Sequence, residues 1–279
     1  MASRSTGCSN RWTERRSRPS RSSSHKAQSP DSAACCPATR PPLEIATAGG
    51  VEVGVTVRSP ARHRVFDDIA GLVEFVERIA DASGKPVGIK SAVGDRVFWS
   101  EFAEHMAATG QGPDSIMVDG GEGGTGAAPL VFADHVALPI RQAFPLARRT
   151  FAENCLEDTV VFGAARKLGR PPDAALTLAL GADMLGVGRE AMPAIGCIQA
   201  QECQTGHCPT GAATQRPRLV RGLDPTDKSV RMASYIKSLQ RDLRSRGHAM
   251  EHGHQSKIRL DQISIGNGSG HTVPATEVF

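Results

Sequence analysis

Apolar positions along the chain follow two alternating rhythms. Residues 67–82 carry Ile69, Leu72, Val73, Val76, Ile79 and Ala80 at helical spacing, which predicts an amphipathic helix stopped by Gly84. Residues 86–92, around Gly88-Ile89-Lys90, form a short apolar run, which predicts a buried strand by its length and flanks. The alternation then repeats. Helices are predicted over 98–109, 138–156, 173–180 and 189–195, and strands over 115–118, 159–163 and 184–188. A long last helix over 225–246 has Asp224 as its N-cap. Residues 51–57 alternate weakly and form a further candidate strand. Nearly continuous apolar strands between helices predict a parallel sheet covered by helices. In open α/β sheets and in (β/α)8 barrels alike, ligands sit at the carboxyl ends of such strands.

Composition changes this picture at one end. The first forty residues are rich in Ser, Arg and Pro and hold eight Arg or Lys against Glu14 and Asp31. Of the 33 basic and 29 acidic residues, 25 and 27 remain for the rest. The basic balance belongs to the tail, which argues against a nucleic-acid partner for the folded part. Residues 1–57 are too poor in apolar side chains to offset their ordering entropy. They read as a disordered or non-native tail, either an organelle transit peptide or residues appended by a misplaced start. No run of eighteen apolar residues and no secretory signal is present, so neither a membrane span nor export is expected. Seven cysteines, an odd number, argue against a disulfide framework and for a reducing, cytoplasmic setting.

Candidate chemistry gathers in the loops. Gly120-Gly121-Glu122-Gly123-Gly124-Thr125-Gly126 lets backbone approach a ligand, yet matches neither the dinucleotide fingerprint nor a phosphate-binding Walker loop. Lys90, near a strand end, either reaches solvent or meets an anion. Gly163-Ala164-Ala165-Arg166-Lys167 and Gly186-Val187-Gly188-Arg189-Glu190 follow the third and fourth strands. If these are the last two of a barrel, their loops and the start of the next helix suit phosphate. Residues 196–211 hold Cys197, Cys203 and Cys208, three thiols within twelve residues, bent by Gly and Pro. Such a set suits zinc, copper(I) or an iron–sulfur cluster. A zinc site needs a fourth ligand. His207 adjoins Cys208 awkwardly, and Cys155 is a distant option.

Lys85-Pro86-Val87-Gly88-Ile89-Lys90, the run from Val118-Asp119 through Gly126-Ala127-Ala128-Pro129, and Gly181-Ala182-Asp183 through Gly188-Arg189-Glu190-Ala191-Met192 lead into the three cysteines and Ala213-Thr214-Gln215. Together they resemble the FMN-binding domain of the glutamate synthase family, in the form bacteria carry without the full multidomain enzyme. The likeness runs over residues 59–247, within a domain set at 58–279. It implies a (β/α)8 barrel, an α/β fold of TIM type, of which only the C-terminal half, four βα units, is recognisable. It implies FMN, a [3Fe–4S] cluster and an oxidoreductase acting on CH–NH2 donors, in which 2-iminoglutarate formed from 2-oxoglutarate and ammonia is reduced to L-glutamate. By position, Cys197, Cys203 and Cys208 would be cluster ligands and Lys90 would lie by the flavin and substrate. Gly123 and Gly124 would pack beside the ring, and Gly163, Ala164, Gly188 and Arg189 would hold the FMN phosphate. A separate glutamine amidotransferase and an electron donor of ferredoxin or NADPH type would be partners. The loop after the third strand lacks a glycine the family places there. An N-methylglutamate synthase subunit, and a non-catalytic metal-stabilised module, are the alternatives.

Overall fold

The computed structural model describes residues 23–24, 43–50, 52–53, 63–122, 136–266 and 268–279. The weak strand expected at 51–57 and the glycines at 123–126 fall largely or wholly outside them. In chain order the elements begin with β1 (Ser23–Ser24), α1 (Leu43–Gly49), α2 (Ile69–Ser83), β2 (Val87–Ala92), α3 (Arg96–Thr109) and β3 (Ser115–Asp119). Next come α4 (Ile140–Glu153), β4 (Val161–Ala165), α5 (Pro171–Ala179) and β5 (Met184–Gly186). After two short 3-10 turns follow α6 (Pro217–Val220), α7 (Pro225–Ala249), β6 (Ser264–Gly266), β7 (Thr272–Pro274) and α8 (Ala275–Val278).

The helix boundaries follow from their caps. The Asp68 carboxylate accepts the Gly71 N–H at 2.7 Å to open α2, and Gly84 closes it with φ 62°. Asp95 and Gly110 do the same for α3. Strands β1 to β5 form one parallel sheet in chain order. Parallel neighbours joined by helices in sequence are the order of consecutive staves in a (β/α)8 barrel, and β2–α3 through β5 supply about half of one.

The two faces of the sheet differ. Ile89, Ile116, Val118, Phe162 and Ala164 point to one side, where Trp99, Phe102, Phe144 and Phe151 of α3 and α4 are at most 1% exposed. Phe151 and Phe162 meet edge to face with centroids 5.2 Å apart, a favoured aromatic geometry. The opposite face carries Gly88 and Lys90, Ser115, Met117 and Asp119, Val161 and Gly163, and Met184, alternating with the first set as the pleat requires. It is more open, with Val161 43% and Met184 40% exposed. Leu239 and Leu243, four residues apart on α7, pack with Ala174 and Ala175 of α5 and with Ile258 as a second core. No helix among the described residues is long and apolar enough to cross a membrane.

Several elements depart from the sequence reading: α1 lies within residues 1–57, and α6, β6, β7 and α8 are additions to it. The third predicted strand sits two residues later, at Val161–Ala165. The turn over Arg189–Ile195 is 3-10 rather than α, because Pro193 offers no N–H and Gly196 ends it at φ 99°. So short a turn carries little macrodipole.

Candidate functional site

Register places the chemistry at the carboxyl end of the sheet. Lys90 on β2 faces the open side beside Met117 of β3. Its ammonium lies 3.1 Å from Asp119 Oδ2 at the end of β3. The Arg166 guanidinium reaches the same oxygen at 2.7 Å from just beyond β4. The anion that Lys90 meets is therefore Asp119, and one carboxylate gathers two cations from neighbouring strands. Asp119 Oδ1 and Arg166 Nε are buried without a hydrogen-bond partner among the described residues. Arg166 has φ 102° and Lys167 φ 51°. Two successive side-chain-bearing residues thus hold a backbone conformation that glycine adopts freely, which stores strain of about 1–3 kcal/mol each.

A cleft of about 210 Å3 opens there, with Lys90, Arg166, Lys167 and Arg189 supplying four cations and Glu190 one carboxylate. Gly188 lies in its wall, and a Cβ built there meets nothing within 4 Å. No protein atom demands a glycine at that point, so the space it leaves belongs to the cleft. Four cations, an open backbone edge and the ends of β4 and β5 fit a phosphate group. The volume falls below the roughly 300–1,000 Å3 of whole-ligand pockets, so this is one end of a larger site. Gly163 and Ala164 are not part of it. Both are internal to β4: Gly163 packs against Met117, where a Cβ would lie 2.5 Å from the thioether methyl, and Ala164 is 0% exposed in the core. The later strand end hands their place to Ala165, Arg166 and Lys167. Gly123 and Gly124 lie outside the described residues. The described start of their loop is anchored by Glu122, whose buried carboxylate accepts the Ile140 N–H at 2.8 Å and caps α4.

The cysteine loop is built without a sheet. Gly196, Gln199, Gln201, Gly206 and Gly211 all have positive φ. At Gly211 a Cβ would sit 2.2 Å from the Leu219 carbonyl oxygen, so only glycine fits. The Thr214 hydroxyl donates to the Gly206 carbonyl at 2.7 Å and ties the loop across. Cys197, Cys203 and Cys208 line one small cavity of about 10 Å3. The Gln199 N–H donates to Cys197 Sγ at 3.3 Å. Burial, with the neighbouring charges of Cys208 and Cys197, pushes the Cys203 thiol up. Burial would also raise Cys208, but the Thr210 hydroxyl and the N–H groups of Thr210, Ala213 and Ala212 outweigh it and hold this thiol below its ordinary value. Thiols that share a cavity and receive backbone N–H groups fit a cluster that takes one thiolate per iron. Among the described residues no group of three His, Cys, Asp or Glu is placed to hold a single metal ion.

Arg189 lines the cleft and opens the turn that ends at Gly196, one residue before Cys197. The sequence places Asp119 and Arg166 within the Gly-rich run and the loop after the third strand but gives neither a role of its own. Asp119 carried a usable signal, since it stands two residues from Met117 and so on the open face.

Residues 30–253 match the family model described as the conserved region in glutamate synthase, a stretch that begins within residues 1–57. The glutamate synthase large subunit-like protein YerD of Bacillus subtilis is 38% identical over 200 residues, covering 72% of this chain and 38% of that protein. The archaeal glutamate synthase [NADPH] of Methanocaldococcus jannaschii is 33% identical over 210 residues, covering 75% of this chain and 40% of that one. Among solved structures, a flavocytochrome b2 variant with pyruvate bound is 16% identical, with a TM-score of 0.44, over 79% of this chain and 45% of that chain. The chain thus spans about two fifths of the length of these curated relatives. With most of its residues inside the matched region, it belongs to the glutamate synthase family.

Proposed function

We propose that the chain supplies the phosphate-binding and iron–sulfur part of a glutamate synthase-type oxidoreductase. That enzyme reduces 2-iminoglutarate, from 2-oxoglutarate and ammonia, to L-glutamate. The observation that carries this reading is the cation-lined cleft at the ends of β4 and β5, followed in the same chain by a loop whose three thiols line one cavity. FMN bound there would supply the hydride, and a [3Fe–4S] cluster would relay electrons. Lys167, Arg189 and the Gly188 backbone hold the phosphate, with Arg166 beside them. Asp119 fixes the Lys90 ammonium on the open face, where it meets a flavin or substrate carboxylate. Cys197, Cys203 and Cys208 would hold the cluster, one thiolate per iron, and the family resemblance assigns Gly123 and Gly124, outside the described residues, to the flavin. Ammonia and electrons come from separate partners, a glutamine amidotransferase and a ferredoxin- or NADPH-type donor. One relative's name includes NADPH and another, from Synechocystis, is a ferredoxin-dependent glutamate synthase. The matched stretch therefore does not select the donor.

The test is retention of flavin by the full chain after anaerobic incubation and desalting. FMN is expected to stay with the protein, and riboflavin, which lacks the phosphate, to wash out. Loss of both, or equal retention of both, contradicts the phosphate assignment.

A further inference from the structure

A further cleft lies away from the strand ends. It holds about 500 Å3, inside the roughly 300–1,000 Å3 range of small-ligand sites. One wall is α3, through Arg96 and Ser100, and the other is α4, through Arg141, Pro145 and Arg149. The three α4 residues stand four apart and so share one stripe of the helix. The third wall is Val278 and Phe279. These belong to residues 254–279, which lie beyond the matched family region, so the cleft is not built from that region alone.

The third wall is held in place. Ala275 is 0% exposed and its N–H donates to the Ile263 carbonyl at 2.8 Å. Arg149 donates to the Phe279 carbonyl oxygen at 2.6 Å. Three arginines line the cleft and no Asp or Glu side chain does, with Arg149 held by the main-chain oxygen of Phe279, the last residue of the sequence. Arg141 pairs with Asp173 from outside the lining. Arg96 has no ion-pair partner among the described residues. Beside these cations Leu146, Val278 and Phe279 give an apolar surface, with Val278 49% exposed. Guanidinium groups match phosphate and carboxylate oxygens, and the apolar wall matches a body attached to such a head.

We propose that this cleft is a second ligand site, separate from the strand-end cleft, for a small organic oxyanion. Its phosphate or carboxylate head lies on Arg96 and its neighbouring arginines, and its compact apolar body lies on Leu146 and Phe279.

Titration calorimetry of the full chain tests this with phenyl phosphate, benzoate and inorganic phosphate as probes. At least one aromatic anion is expected to bind saturably and about tenfold or more tighter than inorganic phosphate. The tighter of phenyl phosphate and benzoate identifies the head group. Arg96→Ala, at an exposed position, is expected to weaken it roughly tenfold, the loss of one charge-assisted contact. Phe279→Ala is expected to weaken the aromatic anion and leave inorganic phosphate unchanged. Arg189→Ala, at the other cleft, is expected to leave this binding intact. The proposal is overturned if neither aromatic anion binds, if inorganic phosphate binds as tightly as they do, or if binding survives Arg96→Ala and is lost in Arg189→Ala.

Discussion

The strand-end cleft and the cysteine loop adjoin, yet they are held by different means. The cleft side chains project from β2, β4 and β5 or the residues just beyond them. Strand register and the aromatic layer of α3 and α4 fix their positions. The loop has no register. It is shaped by left-handed turns at Gly196, Gln199, Gln201, Gly206 and Gly211 and by single hydrogen bonds such as Thr214 to Gly206. Its cavity of about 10 Å3 is at the lower limit for one water. A sheet can hold a ligand site open before the ligand arrives, whereas a turn-built loop closes around what it binds. The cleft should therefore answer to mutations in the core, and the loop to changes in its three thiols.

The largest effect should come from the layer beneath the cleft. Phe162→Ala removes a ring that is 0% exposed and stacked edge-on against Phe144 and Phe151. It is expected to cost about 3–5 kcal/mol in urea unfolding. A cost under about 1 kcal/mol would show that the sheet does not set the cleft. Asp119→Asn leaves the Lys90 and Arg166 cations, 26% and 22% exposed, without their counter-charge. A loss of about 1–2 kcal/mol is expected, less than for a fully buried pair because water still reaches these groups. With that ion pairing already removed, the strained backbone can be read alone. Asp119→Asn combined with Arg166→Gly is expected to be more stable than Asp119→Asn by about 1 kcal/mol, because glycine takes φ 102° without penalty. No gain would mean that the conformation is unstrained.

The smallest effect concerns the bolt between α7 and the loop after β4. The Tyr235 hydroxyl donates to the Gly169 carbonyl at 2.7 Å. Burial, with the charge of Glu190, pushes its pKa up. A phenol raised on folding keeps its proton where the unfolded chain has lost it. Stability is therefore expected to fall as pH rises above about 10. Tyr235 is the only tyrosine, so tyrosinate absorbance reports this one group, and Tyr235→Phe should remove the pH dependence at a cost of about 1 kcal/mol. A titration at the ordinary phenol value would contradict the burial.

Periodicity alone placed the helices and strands of the sheet to within a few residues, because Leu72, Val76, Ile89, Ile116 and Phe162 repeat at the spacing their elements bury. Lys90, Gly188, Arg189 and the three cysteines were legible as chemistry, since strand ends and clustered thiols are rare settings for such groups. Gly163 and Ala164 were misplaced because the residues that turn the chain after β4 are Arg166 and Lys167. Neither carries a turn signature, and only the fold forces them to positive φ. Asp119 was read as the start of a glycine loop, and its pairing with both Lys90 and Arg166 depends on a register that no local pattern encodes.

The central claim is that two adjoining regions hold two groups by separate means, the flavin by the cleft and the cluster by the thiols. Anaerobic reconstitution of the full chain and of Cys203→Ser with FMN, iron and sulfide tests it most directly, by counting flavin, iron and acid-labile sulfide per chain. The account predicts that the unaltered chain holds both groups and that Cys203→Ser loses iron and sulfide while keeping its flavin. Unchanged iron in the variant, or an unaltered chain that holds neither flavin nor iron, would contradict it.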